Sequence, residues 1–220
     1  MVAKNQTAEL AYHLTLALEN GVKPSQISEI ITHLAFYSGW ASATSAVAIA
    51  KGVFGARGVT ADQLPEATPT PLPFDEAADA QRANGVEQNV GPGYAGVVEF
   101  TNGLLFNELW LRPGLAPRDR SLVTVTTLIA NGQSAQIPFH PNCAMDNGLT
   151  QAEESEVLTQ VAFYAGWPMC FQQFLSRRMF STSGRADGGR HYAAYSKRWP
   201  RRLFDKKSLQ SLQVRQGMNI

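Results

Sequence analysis

His13 and His140 are the residues of this 220-residue chain best placed to do chemistry, because matching neighbours surround both. Imidazole titrates near neutral pH, so a histidine can give or take a proton at a reacting carbon. Glu9 lies four residues before His13, one helical turn away, where its carboxylate can orient the ring. The matching position before His140 is Gln136, which can hydrogen-bond but does not favour an imidazolium. Cys143 follows His140 by three residues, close enough on a helix to pair with it, although a buried free cysteine is the commoner reading. Cys143, Cys170 and His140 lack the C-x-x-C spacing of zinc sites, so no metal is expected. His33 is expected at the surface, because the residue matching it is Gln160.

The matching surroundings are a repeat. Residues 13–40 (HLTLALENGVKPSQISEIITHLAFYSGW) and 140–167 (HPNCAMDNGLTQAEESEVLTQVAFYAGW) align without a gap and agree at 12 of 28 positions. The match extends upstream, where 2–10 aligns with 129–137. A period of 127 residues is far beyond the roughly 20–50 of a solenoid and indicates a duplicated unit. Within each copy the signals are helical. Residues 1–20 read as a helix with Leu10, Leu14, Ala17 and Leu18 on one stripe, stopped at Asn20-Gly21. Pro24 suits the first turn of a second helix, whose Ile27, Ile30, Ile31 and Leu34 form an amphipathic face. Gly39-Trp40 breaks it, and 41–54 reads as a third, mostly buried helix. Copy two repeats the stop at Asn147-Gly148, adds a capping box at Thr150 and Glu153, and breaks at Gly166-Trp167. Trp40 and Trp167 are expected in the core.

Pro65, Pro69, Pro71 and Pro73 make 65–73 extended and stiff, and order is expected again from about Gly91. Residues 94–110 read as a helix. The run 121–130 is ambiguous: Val123, Thr124, Val125, Thr126 and Thr127 favour a strand by propensity, whereas its neighbours favour a helix. Charge is divided unevenly. Residues 1–181 carry net −6 and residues 182–220 net +7, so the tail differs in kind from the body. A solvated tail is the commoner meaning of such a run, and nucleic acid is not expected as a partner. No apolar run approaches a membrane span, and the first ten residues lack the apolar stretch of a secretory signal. Two cysteines make no disulfide scaffold; a cytoplasmic location is expected.

The run WLRPGLAPRDRSLVTVTTLIANG (110–132), His140 followed eight residues later by Gly148, and AFYAGWP (162–168) together resemble the carboxymuconolactone decarboxylase family. The likeness covers about 90–181 as one complete unit and 2–55 as the later part of another. It implies an all-α fold, the helical alkylhydroperoxidase D-like fold, here as two tandem units, with 121–130 helical. The expected division is a partial unit at 1–57, a Pro-rich linker at 58–90, a complete unit at 91–181 and a basic tail at 182–220. The family assembles into oligomers, which implies a homo-oligomer here.

The resemblance also implies an activity: loss of carbon dioxide from a carboxylated, unsaturated γ-lactone in aromatic-acid breakdown, with no cofactor, since lactone conjugation delocalises the electrons left behind. On that reading His140 is the acid and His13 its copy-one counterpart, with Glu9 beside His13. Arg120 and Arg112 anchor substrate carboxylates through their guanidinium forks. Trp110, Phe163 and Trp167 wall the site. Copy one lacks the W-x-R-P-G-L and R-D-R-S-L elements, so a shortened form or a partner supplying those helices is expected. A rival is hydroperoxide reduction, as in the superfamily's alkylhydroperoxidases. Those carry Cys-x-x-Cys where this chain has Gln6 and Glu9, and Gln133 and Gln136, so that mechanism lacks its thiol pair. A third reading is a non-catalytic binding subunit.

Overall fold

A computed structural model describes residues 1–133 and 145–171. His140, Gln136, Cys143 and the basic tail lie outside the described residues. All regular elements among those described are helical. After a 3₁₀ turn at Val2–Lys4 come α1 (Leu10–Glu19), α2 (Pro24–Ser38) and α3 (Trp40–Ala56). Then follow α4 (Glu76–Val90), α5 (Ala95–Phe100), a π-helical stretch at Thr101–Leu109, α6 (Pro117–Ala130) and α7 (Gln151–Ala165).

Helix α2 is central: it packs on α3 on one side and on α6 on the other, while α6 also packs on α7. Its apolar stripe is what permits this. Ile27, Ile31 and Ala35 join Leu10 and Leu14 of α1 and Ala43, Ala46, Ala50 and Val53 of α3 in one buried cluster. The small alanines of α3 allow close approach, and each buried Leu or Ile contributes about 1.5–3 kcal/mol. A second cluster gathers Val125, Leu128 and Ile129 of α6 with Leu149, Val161, Ala162 and Cys170.

Two expectations change. Residues 1–20 are not one helix; α1 begins only at Leu10. The segment after the prolines contains α4, whose start Asp75 caps by accepting from the Ala77 and Ala78 N–H groups. Its apolar pattern is too weak to announce it. The run 121–130, ambiguous by propensity, is helical, as the family resemblance implies. Thr124, Val125, Thr127, Leu128 and Ile129 are all buried there, on both α2 and α7 sides, and this packing overrides β-propensity.

The sequence repeat carries into the backbone. Asn5 and Gly132, 127 residues apart, both have positive φ (51° and 68°), as do Gly21 and Gly148 (88° and 95°) and Gly39 and Gly166 (86° and 91°). At Gly39 and Gly166, ψ is 153° and 143°, a region essentially closed to residues with a Cβ. Residues 1–6 close like the end of α6. The Gln6 N–H reaches the Met1 carbonyl as the Gln133 N–H reaches that of Leu128, and the Asn5 N–H reaches Val2 as the Gly132 N–H reaches Ile129. This is the paired hydrogen-bond pattern of a helix C-terminus.

Candidate active site

Where α2 meets α6, one face of α2 presents Glu29, His33 and Tyr37, spaced one turn apart. The turn between the π-helical stretch and α6 brings Trp110 and Arg112 onto that face, and the first turn of α6 brings Arg120 and Thr124. Glu29, His33, Arg120 and Thr124 are fully buried.

Charges in such a place must be paired. Arg112 forks onto Glu29, with Nε 2.9 Å from Oε1 and 3.1 Å from Oε2 and Nη2 2.7 Å from Oε1. Arg120 donates from Nη2 to Glu29 Oε2 at 3.0 Å and to the Arg112 carbonyl at 2.9 Å. Burial pushes the Glu29 carboxyl up, but the hydrogen bonds and charges of Arg112 and Arg120 outweigh it and hold the group below the ordinary glutamate range. Burial pushes the Arg120 guanidinium down, opposed by Glu29. One carboxylate against two guanidiniums leaves the cluster with a surplus positive charge.

The remaining bonds lock the group together. Arg120 Nη1 lies 3.3 Å from His33 Nδ1, and His33 Nε2 lies 2.7 Å from Thr124 Oγ1. Thr124 Oγ1 donates to the Arg120 carbonyl at 3.0 Å. The His33 ring stacks on Tyr37 at 4.8 Å and meets the edge of Trp110 at 5.3 Å, and Trp110 Nε1 donates to the Tyr37 hydroxyl at 3.0 Å. Arg112 also donates to the Glu66 and Ala67 carbonyls, tying the Pro-rich segment down. Gly114 completes the turn: a Cβ there would stand 2.7 Å from Glu29 Cγ, so only glycine lets the backbone lie so close. Among the described residues, Arg120 Nε has no hydrogen-bond partner. It is a fully buried cationic donor left over in an otherwise engaged cluster.

His13 lies elsewhere in the bundle. It is edge-on to Tyr12 at 5.3 Å and to Tyr164 of α7 at 5.5 Å, with a quarter of its side chain exposed. Glu9, exposed, approaches its Nε2 at 3.8 Å, too far for a hydrogen bond. Trp167 is half-buried against Phe163 at 5.8 Å and leans on the same α6–α7 cluster as Tyr37.

A model of the carboxymuconolactone decarboxylase family matches residues 1–52 and 95–174, more than half of the chain. The chain belongs to this family. Two relatives agree with it. Over 69 residues, 36% are identical to a 4-carboxymuconolactone decarboxylase of Acinetobacter baylyi, covering 31% of this chain and 52% of that protein. Over 84 residues, 31% are identical to a nitrosuccinic acid decarboxylase of Metarhizium robertsii, covering 38% of this chain and 56% of that protein. The chain thus spans about half the length of each relative it matches. The all-α fold is that expected from the family resemblance.

Of the site residues read from the family pattern, Arg120, Arg112 and Trp110 come together, Trp167 sits on the adjoining core, and His13 with Glu9 forms a separate pair. His140 lies outside the described residues. Two expectations are corrected. His33 is not at the surface but at the centre of the cluster, because α6 covers this face of α2. Trp40 is not in the core: it is 68% exposed, touching Phe36 at 5.9 Å, because Gly39 turns it out of the α2 line. Sequence reasoning also missed Glu29 as the cluster's carboxylate. Its recurrence as Glu156 was the available signal, and the i, i+4, i+8 spacing of Glu29, His33 and Tyr37 was a second.

Proposed function

We propose that this chain is a decarboxylase, acting without an organic cofactor on a small carboxylated acid, with a carboxylated γ-lactone of aromatic-acid catabolism as the leading substrate. The family match, joined by two relatives whose names both state decarboxylation, carries this reading. The geometry adds a reason of its own: a buried cluster with surplus positive charge and an unengaged Arg120 N–H suits a substrate carboxylate. In the reaction the bond to the carboxylate carbon breaks, carbon dioxide leaves, and the electron pair spreads into the conjugated lactone. A proton then closes the new C–H bond. His140 is the proposed donor, with His13 and Glu9 as the copy-one pair. Trp110 and Trp167 wall the substrate. Arg112, expected as a second carboxylate anchor, has its nitrogens engaged by Glu29 and two carbonyls, and its proposed role is instead to hold Glu29 against Arg120.

The chain is proposed to carry two family units and to work as a homo-oligomer in the cytoplasm. Matched caps and positive-φ positions support the two-unit reading. Among the described residues no helix is long and apolar enough to cross a membrane. Hydroperoxide reduction is the less favoured activity. Cys170 is buried and its thiol is pushed up, which lowers its nucleophilic fraction at neutral pH. The test is carbon dioxide release from a carboxymuconolactone by the purified chain. Turnover that falls about 10²-fold or more in His140→Ala is expected; no release by the wild type defeats the proposal.

A further inference from the structure

The ring of His33 is held by a closed circuit whose directions can be assigned. A guanidinium has donors only, so Arg120 Nη1–H must point at a bare His33 Nδ1 across 3.3 Å. The ring proton then sits on Nε2 and is given to Thr124 Oγ1 at 2.7 Å. Thr124 passes its own hydroxyl proton to the Arg120 carbonyl at 3.0 Å. The circuit begins and ends on Arg120, so its side chain and backbone are tied through one neutral imidazole. Glu29 and the Arg112 carbonyl hold Nη2 while His33 holds Nη1. With both Nη atoms fixed by acceptors on different elements, the guanidinium cannot turn, and Nε is its one nitrogen without a hydrogen-bond partner among the described residues.

We infer that His33 is a positioning residue: a neutral Nε2–H imidazole that fixes the rotation of the Arg120 guanidinium so that Nε–H meets the substrate carboxylate. The role in ligand binding rests on the decarboxylase reading; the geometry of the circuit does not. His33 transfers no proton to substrate in this scheme, since both ring nitrogens serve the circuit. Glutamine, which stands at the matching position 160, offers one acceptor and one donor at a similar reach. His33→Gln should therefore preserve the arrangement, whereas His33→Leu removes the acceptor while keeping an apolar side chain against Tyr37 and Trp110.

The experiment has two arms on the full chain. The first is ¹⁵N NMR at pH 7. The wild type should show His33 as the neutral Nε2–H tautomer and the Arg120 Nη signals separated by slow rotation; in His33→Leu those signals should merge, and in His33→Gln they should stay apart. The second is calorimetric titration with a carboxymuconolactone, where His33→Leu should bind about tenfold more weakly, a loss typical of one hydrogen bond to a charged group, and His33→Gln within about threefold of wild type. An Nδ1–H or doubly protonated His33, or Arg120 signals unchanged in a folded His33→Leu, would overturn the inference. If His33→Leu does not fold, the tautomer and the glutamine variant still decide it. A wild type with the expected NMR signals that binds no lactone would instead overturn the decarboxylase reading and, with it, the ligand role of His33.

Discussion

Glu29, His33 and Tyr37 on α2 have counterparts 127 residues on in Glu156, Gln160 and Tyr164 on α7, and the two rows could hardly differ more in surroundings. The α2 row is covered by α6 and the Trp110–Leu115 turn, and its carboxylate is fully buried between two arginines. On α7, Glu156 and Gln160 are exposed and Tyr164 keeps 40% of its surface. Elsewhere the copies agree closely. Thr32 and Thr159 each donate to the carbonyl four residues back, at 2.9 and 3.0 Å. The Lys23 and Thr150 N–H groups each donate to the side chain three residues on, at 2.9 and 2.8 Å. At these described positions local structure repeats with local sequence. Burial and charge pairing depend on what packs across the face, which the repeat does not carry.

The largest expected effect separates the two glutamates. Glu29→Ala strands two guanidiniums, one fully buried, and should cost about 3–5 kcal/mol in urea unfolding, as breaking a buried pair does. Glu156→Ala should leave the midpoint where it is; an equal loss in both would erase the contrast. The same pair sharpens in pH. The Glu29 carboxyl is depressed in the folded protein, so its contribution is complete above the unfolded value of about 4.3 and is lost as pH falls through the lower folded value. Unfolding measured from pH 6 down to 3 should show a steeper decline in wild type than in Glu29→Gln, and parallel curves would contradict the assigned shift.

Next in size is Gly114→Ala, which drives a Cβ against Glu29 Cγ and should cost about 1–3 kcal/mol in the same assay. Where the copies agree, paired substitutions should agree too. Gly39→Ala and Gly166→Ala both meet open space or ordinary contact, so only backbone strain is felt, and each should lose about 1–3 kcal/mol. A neutral result at either would show that its backbone relaxes. The smallest effect is Asn5→Gly, which places at the left-handed position of copy one the residue that copy two has at Gly132. A stabilisation of a few tenths to about 1 kcal/mol in thermal unfolding is expected.

Much of the local structure was legible. The Asn20-Gly21 stop, Pro24 at a helix start, the Thr150–Glu153 cap and the isoleucine stripe of α2 are all properties of neighbouring residues, and they stand where the spacing placed them. The arginines and Trp110 were legible as a group through the family pattern. His33 and Trp40 were misplaced because a residue's chemistry does not say which helix will lie over it.

What the sequence alone determined is most of the helices, α6 among them through the family pattern, with their caps and breaks, and the family, since each rests on short-range spacing or on an ordered set of motifs. Only the tertiary structure decided that Glu29 is buried between Arg112 and Arg120 and that His33 lies against Arg120 rather than at the surface. Those outcomes depend on desolvation and pairing between residues 83–91 positions apart, and no local pattern encodes them.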